Sequence, residues 1–412
     1  MIDSNKTFLH IDINSYFATM LQQETPTLRG KPLAIVKDEG RTCIIAASKE
    51  AKKLGVKTGS RMSEALTVAP EIIAIPADFD LYWSATCKLK KLFESLSPDV
   101  SMFSLDEAFL DYTPLRQMHS SPQEFAKLIQ SGVKDTLGSW VTCSIGISHN
   151  RFLAKMTGEV SGPDSITTID LENKDLLLSQ TDFKDVCGIG PRLARRLKGH
   201  GVVVPYQINF IPDGELKRSF GPFWSVELRR MGRGEEPLFL SRLKEAPSHM
   251  KSVGRSITGW QLCNSESVIK RTLYNLVSEI IYKVRSMNLA GRLVSISVNG
   301  GGRSWSNHVT LKHHICHTGE LFQYVYYDLY KKWRRPFPVI KLAVRLGLLE
   351  SRADLSQSLL PKWQKEERVS VACDKLVSSY GLFAVTSGLL ARGPIIRPEV
   401  TGFLGDKQYQ FM

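Results

Sequence analysis

The sequence predicts an α+β protein of several domains in which a strand-helix-strand-strand-helix-strand unit occurs twice, on either side of a short helical stretch. Three observations lead there. Apolar period-two runs give way to helical periodicity in that order over residues 7–147, and again over residues 251–346. Gly- and Pro-marked turns lie between the two. With 412 residues and 42% apolar composition, the chain is too long for a single core and apolar enough to bury several.

The first unit begins with a strand from Thr7 to Ile13 and a helix from Ser15 to Gln22. An insert follows, with strands at Pro32–Lys37 and Thr42–Ser48 and helices at Lys49–Leu54 and Ser60–Val68. Asp78–Leu96 has helical periodicity, and Val100–Leu105 and Ala108–Tyr112 form a hairpin with an acidic corner at Asp106 and Glu107. A helix at Pro122–Leu137 and a strand at Val141–Ile147 complete a ferredoxin-like layout. In that layout the first and third strands are neighbours, so Asp12 faces Asp106 and Glu107. Three converging carboxylates repel and raise one another's pKa, and divalent cations remove the conflict.

After Ser161 come a helix at Lys174–Leu178 and the turn Cys187-Gly188-Ile189-Gly190-Pro191, which leads into Arg192–Lys198. Gly188 and Gly190 let backbone amides point at a phosphate from the start of a helix, with Arg192, Arg195, Arg196 and Lys198 nearby. The second unit runs through a strand near Val253, a helix at Ser267–Met287, strands at Leu293–Asn299 and His308–His314, a helix at Gly319–Trp333 and a strand at Val339–Leu346. A tail from Ser351 carries one helical stretch, around Arg368–Ser379.

The net charge is +13, and residues 244–350 hold sixteen Lys and Arg against six Asp and Glu, a local +10. Such a field attracts phosphate polymers. A membrane protein is not expected, since no apolar run approaches the roughly 20 residues that span a bilayer, and Met1–Asn5 lacks the character of a secretion signal. Seven cysteines stand without a Cys-x-x-Cys pair, which fits a reducing, cytoplasmic setting. His313, His314, Cys316 and His317 are either zinc ligands or the polar end of a strand facing solvent or DNA.

Strand extension requires a 3′ hydroxyl to lose its proton and pyrophosphate to be neutralised, which two metals about 4 Å apart accomplish. His10-Ile11-Asp12-Ile13-Asn14-Ser15-Tyr16-Phe17-Ala18 and Ser104-Leu105-Asp106-Glu107-Ala108-Phe109-Leu110-Asp111 resemble the two active-site motifs of the Y-family translesion DNA polymerases, the DNA polymerase IV and UmuC-like group. Leu28–Pro32, Glu50-Ala51, Leu54–Lys57, Ser144–Ser148, Leu153–Lys155, Gly188–Gly190 and Lys251–Arg255 agree in the same order, so that the resemblance spans about residues 7–350.

The resemblance implies a right-hand polymerase: a ferredoxin-like palm (1–17 and 79–165), small fingers (18–78), a helical thumb with a helix-hairpin-helix turn (166–240), a little finger of ferredoxin-like topology (244–350) and a tail (351–412). It also implies two Mg²⁺ ions, replaceable by Mn²⁺, on Asp12, the Ile13 carbonyl, Asp106 and Glu107. Phe17 falls on the steric-gate position that excludes a 2′ hydroxyl, and Tyr16 beside it is placed with the nucleotide. Lys155 matches a lysine that reaches the triphosphate, and Lys251 and Arg255 match a strand that follows the template backbone.

Two departures stand out. Lys49 and Lys52 replace a phosphate-holding phenol and guanidinium in the fingers, keeping charge without the bidentate fork. Ser161-Gly162-Pro163-Asp164-Ser165 lacks a lysine usual in the family. Gln357–Leu360 sits where many members carry a sliding-clamp peptide, although without the terminal Phe. Primer-template DNA, deoxynucleoside triphosphates and, through that segment, a clamp are the implied partners of a monomer. The implied setting is the damage (SOS) response in the cytoplasm, at the nucleoid if bacterial, without proofreading. The rival classes are a non-catalytic DNA-binding accessory protein, disfavoured by the intact acids, and a nucleotide cyclase, which has no use for the Gly-Ile-Gly turn or the basic domain.

Overall fold

A computed structural model describes residues 3, 5–37, 43–243, 250–334, 336–355, 361–381 and 383–391. They fall into two units, one before Pro247 and one from there to Glu399.

The first unit is built on a five-stranded sheet of order β5-β6-β1-β7-β8, formed by β1 (Phe8–Ile13), β5 (Val100–Met102), β6 (Glu107–Asp111), β7 (Cys143–Ser148) and β8 (Ile166–Thr168). β1 lies antiparallel between β6 and β7, as a ferredoxin-like layout requires. Strand alternation then sorts the side chains. Leu9, Ile11 and Ile13 point to one face, where they pack with Ala108, Leu110, Ile145 and Ile147 under α4 (Phe79–Leu96) and α5 (Pro122–Leu137). His10 and Asp12 point to the other, which α6 (Arg151–Val160) crosses. The crossing is close because Gly146 and Gly158 meet there: a Cβ on Gly146 would lie 2.1 Å from the Ala154 carbonyl oxygen. β8 pairs parallel to β7, so the sheet continues past the expected palm boundary at residue 165.

α1 (Tyr16–Glu24) leads from β1 into a small sheet of order β3-β2-β4, made of β2 (Leu33–Val36), β3 (Ile44–Ala47) and β4 (Ile73–Pro76), with α2 (Lys49–Lys53) and α3 (Met62–Val68) between its strands. The helical part contains α7 (Lys174–Gln180), α8 (Pro191–Gly199), α9 (Asp213–Gly232) and α10 (Leu238–Ser241). Its side chains share a core with Phe109, Phe152 and Met156 of the palm sheet and α6.

The second unit has the expected succession: β9 (Ser252–Cys263), α11 (Glu266–Ser286), β10 (Leu289–Gly300), β11 (Arg303–Ile315), α12 (Thr318–Phe322) and β12 (Val339–Ser351). α12 continues into a π-helical stretch, Gln323–Leu329. The sheet order, β11-β10-β12-β9, corrects the ferredoxin-like expectation here: the first strand is at an edge, beside the last, not at the centre. One face packs Val294, Ile296, Val298, Val344 and Leu346 against α11 and the π stretch. The other carries short polar groups: Ser256 and Thr258 on β9, Ser295, Ser297 and Asn299 on β10, Ser304, Ser306 and His308 on β11, with Lys341 and Arg345 on β12 between them. α13 (Pro361–Tyr380) is the helix expected in the tail. Among the described residues, no helix is long and apolar enough to cross a membrane.

Candidate active site

Asp12 stands directly opposite Glu107 in the β1–β6 pairing, and the Ile13 amide donates to the Asp106 carbonyl at 3.1 Å. The three acids foreseen from the sequence therefore meet at adjoining strand ends. The corner is braced from behind. Tyr16 donates from its hydroxyl to the Tyr82 carbonyl at 2.7 Å and meets Thr86, whose hydroxyl also donates to the Leu105 carbonyl at 2.8 Å. Ser104 donates to Asp106 Oδ1 at 2.5 Å.

The acids are not equivalent. Glu107 Oε2 lies 3.1 Å from His10 Nε2 and 2.5 Å from Lys155 Nζ, and Lys155 reaches Glu159 at 3.1 Å. Burial alone would raise Glu107, but the His10 hydrogen bond and the Lys155 charge outweigh it and hold its pKa at about 2. Burial keeps His10 below its usual value, hence neutral, donating through Nε2 with Nδ1 unpartnered against Gly158. The Asp12 carboxyl accepts no hydrogen bond from any described residue, and burial, then repulsion by Asp106 and Glu107, lifts it to about 8. Burial also raises Asp106, against the Ser104 hydrogen bond. Two carboxyls with raised pKa values beside a third held low form a hard-oxygen donor set that a divalent cation suits.

A pH dependence follows. Between the ordinary Asp value of 3.8 and about 8, the metal-free fold holds a proton on Asp12 that the unfolded chain has released, so this group makes stability fall as pH rises through that window. A divalent cation bound through Asp12 would have to displace the same proton, so its affinity should rise with pH below about 8, by roughly tenfold per pH unit for the Asp12 proton alone. Calorimetric titration of Mn²⁺ from pH 6.5 to 8.5 checks this, with Asp12→Asn expected to flatten the profile.

The profile of the impB/mucB/samB family matches residues 11–159, and that of the family's C-terminal domain matches residues 250–359, more than half of the chain between them. The chain belongs to the Y-family of translesion DNA polymerases. Among similar proteins, the DNA polymerase IV of Moorella thermoacetica is 28% identical over 92% of this chain and 95% of its own. That of Pelotomaculum thermopropionicum is 28% identical over 90% and 92%. A chimeric Y-family DNA polymerase of known structure superposes with a TM-score of 0.71 at 23% identity, covering 84% of this chain and 99% of its own, and so shares the fold.

Against this Y-family frame, the other expected site residues divide. Phe17 is half-buried and stacks on Tyr82, with ring centroids 4.2 Å apart, at the head of α1 next to the acids. Tyr16 is not placed for nucleotide: it is buried, with its hydroxyl spent on the brace described above. Lys155 is also buried, its ammonium held between Glu107 and Glu159 and not extended toward a triphosphate. Lys49 and Lys52 are exposed on α2, with the Lys49 ammonium 4.5 Å from the Trp140 ring centre. Asp164 donates its amide to Asn14 at 2.9 Å and pairs with Lys134, so the departing segment 161–165 closes the turn behind Asp12.

Gly188 has φ +92°, and a Cβ there would lie 2.9 Å from Phe239, so both conformation and packing demand glycine. Gly190 is exposed at the start of α8. Arg196 is turned back to the Ser219 carbonyl and the Phe220 ring, leaving Arg192, Arg195 and Lys198 on the surface. In the second unit Lys251 is exposed, but Arg255 is a correction: strand alternation sends it to the helix face, where it is 6% exposed and paired with Glu279 on α11 at 2.5 Å. Gln357–Leu360 lies outside the described residues.

Sequence reasoning assigned no role to His10, Ser104 or Glu159. His10 was legible in principle, because two residues before Asp12 on a strand is the same face.

Proposed function

We propose that this chain is an error-prone, template-directed DNA polymerase that adds deoxynucleotides to a primer 3′ end with release of pyrophosphate and without proofreading. The observation that carries it is the meeting of Asp12, Asp106 and Glu107 at one sheet edge, with Asp12 unpartnered and pushed up to about 8. Asp12, Asp106, the Ile13 carbonyl and the remaining Glu107 oxygen are the ligands for two Mg²⁺ ions, or Mn²⁺ in their place. When bound, those ions acidify the 3′ hydroxyl and neutralise the leaving pyrophosphate. The chain's own part is positional. His10 and Lys155 hold Glu107 ionised, the Tyr16–Thr86–Leu105 chain fixes the Asp106 corner, and the Phe17 ring, stacked on Tyr82 beside the acids, serves as the floor under the sugar.

The domain limits follow the family order, with palm 1–17 and 79–168, fingers 18–78, thumb to 240 and little finger 244–350. DNA is held by the Gly188–Gly190 turn, Lys251 and the open face of the second sheet, whose short hydroxyl side chains let a backbone approach Lys341 and Arg345. The protein acts as a monomer and docks on a sliding clamp through Gln357–Leu360.

Primer extension on intact and abasic templates tests the proposal. Metal-dependent extension with deoxynucleotides is expected; tight DNA binding with no extension, a clamp included, would reject it in favour of an accessory role. The open face has its own test. Lys341→Ala with Arg345→Ala should weaken DNA binding on every sequence and reduce the slope of log affinity against log salt by about one per cation removed, measured by anisotropy. An unchanged slope removes that face from the interface.

A further inference from the structure

The cluster of histidines and cysteine at the end of β11 is resolved by the fold into a smaller and different set. His313 faces Glu320 at 2.7 Å and His314 is directed to Glu350 at 3.4 Å. Cys316 and His317 instead meet Glu367, fifty residues further on and carried by α13; the three ligand atoms lie within 4.8 Å of one another. We propose that Cys316 Sγ, His317 Nε2 and Glu367 Oε2 form a zinc site, with water in the fourth position, that fastens α13 to the β11–α12 corner.

The surroundings are arranged for such an ion. His317 presents Nδ1 to Ser370 Oγ at 3.3 Å and Nε2 to Glu367 Oε2 at 3.7 Å; in the tautomer with its proton on Nδ1, the Nε2 lone pair faces the carboxylate. In a tetrahedral zinc site neighbouring N and O ligands stand roughly 3.5 Å apart, so this pair needs little movement. Arg352 donates to the other Glu367 oxygen at 2.5 Å, which orients the carboxylate and leaves Oε2 for the metal. Hydrogen-bonded partners of this kind, here behind the imidazole and the carboxylate, are what metal sites use to fix tautomer and direction. Arg285 adds a brace from the same corner: it donates to the Cys316 carbonyl at 3.2 Å and grips Asp374 on α13 at 2.6 and 2.7 Å.

Sulfur and imidazole donors favour zinc over the Mg²⁺ that suits the all-oxygen polymerase site. Cys316 is buried, and burial raises its thiol, so zinc binding must release that proton to solvent as the thiolate–metal bond forms. The Arg285 and Arg352 charges favour the thiolate and are balanced by Asp374 and Glu367. His317 also lines a cavity of about 1000 Å³ among α11, α12 and α13, which gives the ion a way in.

The test uses the full-length protein, stripped with chelator and reloaded in excess Mg²⁺ so that the polymerase carboxylates are occupied. One equivalent of Zn²⁺ should resist Mg²⁺, raise the melting temperature and release a proton. Co²⁺ in its place should give a thiolate charge-transfer band. Cys316→Ser should abolish the band, and Glu367→Gln, on a partly exposed helix position, should weaken Zn²⁺ by roughly a hundredfold while leaving the fold intact. Absence of Mg²⁺-resistant zinc in the wild type, or a cobalt band that survives in Cys316→Ser, overturns the proposal. Neither readout depends on polymerase activity.

Discussion

Asp106→Asn is expected to leave a protein that binds primer-template and extends it at least roughly a thousandfold more slowly, a loss of about 4 kcal/mol in transition-state stabilisation. The substitution keeps the side chain's shape and its hydrogen bond with Ser104, and removes the negative charge that the proposed metal pair would share. A second effect separates this from misfolding. Burial holds Asp106 above the usual carboxylate range, so its ionised form opposes folding in metal-free protein. The neutral amide should therefore melt no lower than the wild type in chelator, and should lack the rise in melting temperature that Mn²⁺ is expected to give the wild type. Single-turnover extension together with melting curves decides it: normal turnover by Asp106→Asn would remove the proposed site altogether.

Phe17→Ala is expected to relax discrimination between sugars by roughly 10- to 200-fold in kcat/KM, through admission of ribonucleotides and not through loss of deoxynucleotide use. The ring is held in place by stacking on Tyr82 and an edge contact with Phe79, so a sugar resting on it would meet a wall that cannot rotate away. Because that stack also joins α1 to α4, Phe17→Ala should lower the melting temperature. Phe17→Leu keeps most of the packing and should give an intermediate sugar ratio. Unchanged ratios in both variants would place the gate elsewhere.

The palm was legible in the sequence because its strands alternate cleanly and its acids sit at strand ends. β1, β6 and β7 fall within a residue or two of where periodicity puts them. β4 escaped because its four residues end in proline and are half exposed. α9 escaped because Gly221-Pro222 looks like a break, and Gly221 does leave helical geometry at φ +82°, yet the helix resumes at once with Pro222 in a first-turn position where its missing amide costs nothing. In the second unit the succession of elements was readable and the sheet order was not, since local periodicity carries no information about which edge a strand takes. Arg255 shows the same limit at the level of one side chain. Its motif neighbours suggested a phosphate, but one step of alternation buries it against Glu279, and no pattern within the strand itself points to a partner twenty-four residues away. Lys155 differs again: its helix and position were as expected, and what could not be read was that Gly146 and Gly158 bring α6 near enough for its ammonium to be captured by Glu107.

The open face of the second sheet has a consequence for how long such a protein stays in one place. Serine and threonine hydroxyls lie two bonds from Cα and the asparagine amide three, so on the DNA-holding face proposed above each could release one phosphate and take the next with little rearrangement, and none is shaped to a particular base. A surface of that kind permits sliding without registering sequence. Its hold is then set by the two cations and by the ionic strength around them, so that the number of nucleotides added per encounter should shorten as salt is raised, unless something else tethers the chain to the duplex.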